Sequence, residues 1–212
     1  MTAVLAIAAA LVLGWFAVGS VRNVRRGSAA VRWFKEGLPL LGQKTTLRWL
    51  GTTSVELVLS DAKPPFESAT LVIFLEPRDV PWLWALARGR GRRDTLIVRA
   101  KTRRPPPHDI EALDPGSWAA REARPRMASE AWHVRAPAAS GDLEVFAKAP
   151  EDLAFAAALL ERARDADIKV QRLSVRRQDP NLQLYVDLPA APTPASRFFN
   201  MVRAIGERAI EP

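Results

Sequence analysis

The residues that could perform chemistry are few and scattered along this 212-residue sequence. It contains two histidines and no cysteine, which excludes thiolate nucleophiles and thiolate metal ligands. His108 stands alone after three prolines, whereas a metal site needs three or four ligands that converge on one point. His133 falls in a predicted strand, where a histidine is usually structural. We therefore predict no catalytic residue, no metal site and no cofactor.

Arginine is the side chain with the most potential to bind a ligand, because the net charge is +8 and most of the cationic residues are arginine. Two arginine pairs, Arg103-Arg104 and Arg176-Arg177, end predicted strands and could line one basic surface. Such a surface favours anionic lipid headgroups, where each nearby cation contributes about 1 kcal/mol, or an acidic partner protein. The alternative is an ordinary solvated surface in an arginine-rich composition. Nucleic acid is disfavoured as a partner, because no recognition motif accompanies the charge.

The strongest structural signal is a continuous run of uncharged, mostly apolar residues at positions 2–21. At about 1.5 Å per residue, a helix of this length crosses a hydrocarbon core of about 30 Å. A cleaved signal peptide would have a basic start and a shorter apolar region, and a buried helix would show a polar stripe. We predict a transmembrane anchor over residues 1–21, with membrane contacts from Val4, Leu5, Ile7, Leu11, Leu13, Trp15, Phe16 and Val18.

The residues that follow the anchor predict its orientation. Arg22, Arg25 and Arg26 come directly after the apolar run, and basic residues next to a span stay on the cytoplasmic side. We therefore expect a single-pass protein of the cell inner membrane, with its N-terminus outside and its body in the cytoplasm. Residues 22–44 are predicted as a basic juxtamembrane connector, in which Gly37 and Pro39 interrupt any long helix.

Residue periodicity in the body predicts an α+β fold, with a largely antiparallel sheet and two to three helices. A slip in the alternation between Val170 and Leu173 indicates a β-bulge. Strand–helix–strand patterns recur at a nearly constant offset, so the body could be two related βαβ-containing lobes. The predicted domains are a first lobe at 45–104, a proline-rich linker or long loop at 105–130, and a second lobe at 131–212.

A segment rich in tryptophan and arginine, residues 80–93, is the sharpest local feature of the body. Tryptophan at the headgroup level with arginine on the phosphates is typical of an interfacial element. The alternative is a core helix followed by a solvated basic loop, and Trp33 likewise could lie at the interface or cap the folded domain. The predicted membrane-surface or partner contacts are Arg22, Arg25, Arg26, Trp33, Trp82, Trp84, Arg88, Arg90, Arg92 and Arg93.

An anchor, a basic face and a well-patterned core, without a constellation for chemistry, favour one functional class. We expect a membrane-tethered, non-catalytic accessory or scaffold protein. Its body would bind an anionic bilayer and another membrane-associated protein or a second copy. One alternative is an enzyme acting on anionic lipid or phosphorylated substrates, with arginine clamps and Asp109 or Asp179 as base. A further alternative is nucleic-acid tethering at the membrane.

Overall fold

The structure is a computed structural model that describes residues 1–130, 132, 134–137, 143–189 and 193–211. Over these residues it contains five α-helices, a 3₁₀ turn at Leu38–Leu40, and nine strands. The helices are α1 (Thr2–Gly37), α2 (Pro81–Gly89), α3 (Trp118–Ala128), α4 (Asp152–Asp165) and α5 (Ala195–Ala209). The strands are β1 (Thr45–Trp49), β2 (Ser54–Leu59), β3 (Phe66–Phe74), β4 (Thr95–Thr102), β5 (Ile110–Leu113), β6 (Val134–Pro137), β7 (Glu144–Ala147), β8 (Val170–Val175) and β9 (Leu182–Asp187).

All the strands of the described chain join in one sheet, in the order β1-β2-β3-β4-β9-β8-β5-β7-β6, and every neighbouring pair is antiparallel. The prediction of an α+β body with a largely antiparallel sheet is therefore confirmed. The register shifts between Val170 and Arg172, where β8 meets β9. This shift confirms the predicted bulge, which lets Val170 and Leu173 contribute to the same core.

The main core lies between one face of the sheet and the helices α1, α4 and α5. Alternate residues of the central strands point into it, as Leu71, Val98 and Leu184 do. α5 presents a continuous apolar side, which includes Phe198 and Val202. The opposite face of the sheet is covered in part by α3, whose buried residues are mostly alanine and so allow close approach.

α1 continues from the apolar segment into the body without a break. It spans 36 residues, and its buried residues recur every three or four positions as one stripe: Gly19, Asn23, Gly27, Ala30, Phe34 and Gly37. The residues predicted as a connector are thus largely helical, and the helix ends only at Gly37, before the 3₁₀ turn that contains Pro39. The apolar segment and the body therefore share one helix, because the buried stripe gives residues 19–37 a surface to pack against.

Residues 105–130, predicted as a linker or long loop, contain β5 and α3. All four residues of β5 are buried, and β5 pairs with β8 on one side and β7 on the other. Ser117 caps the start of α3, because its hydroxyl accepts a hydrogen bond from the Ala120 N–H at 3.1 Å. The prolines that indicated a loop lie before β5, between β5 and α3, and inside α3, so they interrupt the pattern without preventing either element.

The two strand–helix–strand units that suggested duplication differ in topology. β3 and β4 pair directly with each other, whereas β7 and β8 lie on opposite sides of β5. The intervening helices differ too, because α2 has no buried residue and α4 contributes six. The similar spacing in the sequence therefore does not correspond to two equivalent lobes.

We expect Gly37→Ala to lower the free energy of unfolding by about 1–3 kcal/mol, the usual cost of overpacking. A Cβ at Gly37 would lie 2.2 Å from Cδ2 of Phe199, whose ring is fully buried. Denaturant unfolding in mild detergent measures this difference. Gly89→Ala is the matched control, because a Cβ there meets nothing within 4 Å. Equal stability losses in the two variants would contradict the packing of α1 on α5.

Candidate membrane interface

The first half of α1 projects from the body with its apolar side chains exposed. The eight predicted anchor residues have exposed fractions between 47% and 71%. A soluble surface rarely carries an apolar area of this extent, because its exposure to water is unfavourable. In the described chain, α1 is the one helix long and apolar enough to cross a membrane.

The body meets α1 in the C-terminal part of this segment, from Trp15 onward. The Trp15 indole N–H donates to the Arg78 carbonyl at 2.9 Å. One turn later, a Cβ at Gly19 would lie only 2.3 Å from the same carbonyl oxygen, so the backbones are in direct contact. The Thr52 hydroxyl, in the turn between β1 and β2, donates to Asp79 at 3.0 Å. The β1–β2 turn and the segment before α2 therefore lie beside α1 near residues 15–19.

α2 lies beside the exposed part of α1 and does not enter the core. Trp82, Leu83 and Leu86 are 65%, 45% and 50% exposed, which contradicts the core-helix alternative. The Trp84 ring faces Trp15, with ring centroids 6.5 Å apart, and its indole N–H donates to Glu76 at 2.5 Å. α2 is thus held from its inner side by a polar bond and a ring contact, and its apolar side faces outward.

Two buried carboxylates hold this end of the molecule together. Glu76 and Asp94 are 2% and 6% exposed. Glu76 accepts from Arg88 at 3.3 Å, in addition to Trp84. Asp94 accepts the Glu76 N–H at 2.9 Å, two guanidinium bonds from Arg78 at 2.8 and 2.9 Å, and an ion pair from Arg26. These acids therefore connect α1, α2 and the start of β4.

A buried amide on α1 completes the cluster. Asn23 is fully buried in the α1 stripe, and its side-chain oxygen accepts from Arg78 at 3.3 Å. None of Asn23, Glu76 and Asp94 was predicted from the sequence as a site residue. Asp94 follows Arg92 and Arg93 in the sequence, but it pairs with Arg26 and Arg78, so nothing in the local sequence indicated that it would be buried.

The predicted basic contacts divide into bound and free groups. Arg26 and Arg88 pair with the buried acids, Arg92 lies 6.0 Å from the centre of the Trp118 ring, and Arg93 donates to backbone carbonyls. Within the residues that the structure describes, the guanidinium groups of three others have no bonding partner: Arg22, Arg25 and Arg90. Among the predicted contacts, these three cations are therefore available to a ligand outside the chain.

Trp33 does not belong to this interface. Its indole N–H donates to the Thr193 carbonyl at 2.6 Å, and its ring lies 5.7 Å from Phe198 and 6.0 Å from Phe199. The domain-capping interpretation of Trp33 therefore applies, because α1 carries it well past the exposed segment to the start of α5.

A second polar feature is a cleft of about 370 Å³ on the far part of the sheet. There Arg176 donates to both oxygens of Glu130 at 2.8 and 3.0 Å and to the buried Glu111 at 3.0 Å. Burial alone would lower the pKa of Arg176, but its bonds to these carboxylates raise it. Arg177 donates its N–H to Asp109 at 2.9 Å and its guanidinium to the Pro107 carbonyl at 2.6 Å. The cleft thus joins Asp109 with an arginine pair, but internal partners occupy its charges.

The remaining candidate residues lie apart from both features or outside the described chain. His108 Nδ1 lies 2.6 Å from Asp152, and its ring lies tilted against Phe155 with centroids 4.4 Å apart, so both contacts hold the start of α4. Asp179 lies in the turn between β8 and β9, and Arg103 donates to the Phe66 carbonyl at 3.2 Å. The prediction for His133 falls outside the described residues.

No protein-family model and no curated protein matches this sequence. The functional argument therefore rests on the geometry of the chain itself.

We expect Asp94→Asn to lower the free energy of unfolding by about 2 kcal/mol at neutral pH, the scale of a hydrogen bond to a charged group. Burial alone would raise the pKa of Asp94, but bonds from Arg78 and the Glu76 N–H, with the charge of Arg26, hold it below 3.8. The contribution of this carboxylate is therefore complete above about pH 3.8 and is lost as the pH falls through the lower folded pKa.

Unfolding measured in mild detergent between pH 2 and pH 7, about the range in which carboxyl groups titrate, checks this expectation. As the pH falls, the free energy of unfolding should decrease less for the variant than for the wild-type protein. Asp61→Asn is the control, because Asp61 is exposed and its carboxylate has no partner in the described part of the chain. Identical pH profiles for Asp94→Asn and the wild-type protein would contradict the assigned role.

Proposed function

We propose that this protein is a membrane-tethered, non-catalytic accessory or scaffold protein whose body binds a partner protein or membrane complex. α1 would cross the cell inner membrane with the N-terminus outside, and the basic body would lie in the cytoplasm. Arg22 and Arg25 support this orientation, because they are free cations directly after the apolar segment. The outward apolar side of α2, next to α1, supports contact of the body with the same bilayer.

The open edge of β1 is the observation that carries the partner-binding part of this proposal. All five residues of β1 are exposed, and among the described strands only β2 pairs with it. The Leu50 N–H donates to Ser54, and Lys44 accepts from Ser60, so even-numbered residues bond to β2. The N–H groups of residues 45, 47 and 49 therefore face the open side.

An unpaired edge of this kind binds an extended segment of another protein by strand addition. Leu47 and Trp49 are 40% and 39% exposed, so an added strand would also find apolar side chains beside it. Because α1 continues into the body without a break, this edge is held near the bilayer. A membrane-associated partner could therefore reach this edge.

The enzyme alternative has less support. It requires free arginines around an acid, and in the cleft Arg176 is occupied by Glu111 and Glu130. Nucleic-acid tethering has less support for a similar reason, because Arg26 and Arg88 pair with buried acids and do not form a continuous free basic surface.

Single-cysteine labelling tests the orientation, because the sequence has no cysteine of its own. We expect a membrane-impermeant maleimide to label Thr2→Cys in intact cells, and Glu161→Cys only after the membrane is permeabilised. Both positions are exposed in the structure. Labelling of Glu161→Cys in intact cells would contradict a cytoplasmic body, and release of the protein by alkaline carbonate would contradict a membrane span.

Proline at position 47 tests the open edge. Leu47→Pro removes an N–H that faces outward, so β1–β2 pairing persists while an added strand loses a hydrogen bond and meets the proline ring. We expect proteins that co-purify with the wild type from native membranes in mild detergent to fall at least about tenfold, which corresponds to 1.4 kcal/mol.

Leu47→Ala is the matched control, because it shortens the side chain but keeps the N–H. It should retain the partner far better than Leu47→Pro. A wild-type protein that purifies only as a lone monomer would contradict the accessory role. Equal recovery of the partner with Leu47→Pro would show that binding occurs at another surface.

A further inference from the structure

A groove of about 470 Å³ runs between α1 and the inner side of α2, at the level where the body meets the exposed apolar segment. Its volume falls within the range of about 300–1,000 Å³ that is usual for small-molecule sites. Ala10, Gly14 and Val18 form its floor on α1, and Trp15 and Trp84 form its wall. The groove is therefore apolar over most of its length.

The walls of this groove are fixed by bonds that leave its space open. Trp15 donates to the Arg78 carbonyl, and Trp84 donates to the buried Glu76, so neither indole can rotate in without breaking a hydrogen bond. A Cβ at Gly14 would meet nothing within 4 Å, in contrast to Gly19, where the backbone of Arg78 is in contact. The missing side chain at Gly14 therefore serves no contact within the chain.

The end of the groove nearest the body is cationic. Arg22 lines it, is exposed, and has no acid or hydrogen-bond acceptor among the residues described. Arg78 also lines it, but Asp94 and Asn23 occupy its guanidinium. An occupant of this groove thus meets an apolar channel along residues 10–18 and one unpaired cation about one turn further along α1.

We propose that this groove binds one anionic phospholipid, with an acyl chain against Gly14 and Trp84 and the phosphate on Arg22. The charge and the apolar lining of the groove match this occupant, since Arg22 directly follows the apolar segment, where the phosphates of a bilayer that α1 crosses would lie. A transmembrane helix from a partner would fill the apolar part but would leave Arg22 unpaired unless it carried an acid there. This inference rests on the membrane placement proposed above and is independent of the β1 edge.

Native mass spectrometry of the full-length protein tests the site. The protein is reconstituted in vesicles of equal parts phosphatidylglycerol and phosphatidylcholine, extracted in mild detergent, and examined for retained lipid. We expect one retained phosphatidylglycerol, preferred over phosphatidylcholine by about fivefold, the effect of a single nearby cation. Arg22→Gln should retain lipid but lose the preference.

Gly14→Leu should lose the retained lipid, because its side chain fills the floor of the groove, where a Cβ meets nothing within 4 Å. Ala9→Leu is the matched control, since Ala9 is exposed on α1 and does not line the groove. An unchanged lipid preference in Arg22→Gln, or unchanged retention in Gly14→Leu, would overturn the proposal. If the wild-type protein instead retains a polypeptide that Gly14→Leu displaces, the groove binds a partner helix and the lipid proposal is wrong.

The outcomes separate this site from the proposed function. If the wild-type protein shows no lipid preference, the lipid site is wrong, but the Leu47→Pro experiment still tests partner binding at β1. Failure of the membrane span in the carbonate extraction removes the lipid site together with the anchor. If Gly14→Leu does not fold, the Arg22→Gln comparison still decides the proposal, because the Arg22 guanidinium has no hydrogen bond or ion pair within the described chain to lose.

Discussion

The close packing of α1 against the body is the contact on which the other parts of the structure depend. At Gly19, Gly27 and Gly37 the absence of a side chain lets the Arg78 backbone, the Trp49 ring and the Phe199 ring reach the helix. Such an interface buries little apolar area per residue, so its stability relies on close fit and polar bonds. α1 is therefore positioned by close packing over about half of its length and is exposed over the rest.

The buried carboxylates turn that packing into a defined geometry at the end of the body next to the exposed apolar segment. A buried ionised carboxylate is unfavourable by several kcal/mol unless it is paired and hydrogen-bonded, and removal of one partner leaves an uncompensated charge. Glu76 and Asp94 receive their bonds from three different elements, so all three must take up their observed positions together. This coupling explains how α2 stays in place although none of its residues enters the core.

Regular patterns made much of the fold predictable. Alternation in β9 and helical spacing in α5 lead directly to the antiparallel sheet and its covering helix, and even the bulge in β8 leaves a trace in the sequence. β5 leaves none, because its four residues are all buried and one of them is Glu111, whose partner Arg172 is 61 residues away. The continuity of α1 was hidden similarly, since its stripe consists mainly of small or polar residues.

The site was only partly predictable for a related physical reason. Basic and aromatic residues cluster locally in the sequence, so the segment around Trp82 could be recognised as unusual. Their acidic partners are brought together only by folding, as Asp94 is with Arg26. Which arginines are free for a ligand is a property of that pairing, and composition alone could not distinguish Arg22 from Arg26.

The unbroken α1 also has a mechanical consequence. A helix without a flexible joint passes any change of anchor tilt to the sheet as a rotation of the same angle. Residues 19–37 span about 27 Å, so a change of about 10° in tilt moves the far end of this segment by about 5 Å. Transmembrane helices adjust their tilt to bilayer thickness within a range of about 0–40°. In the proposed membrane orientation, the height and direction of the body above the lipid surface would thus vary with membrane thickness.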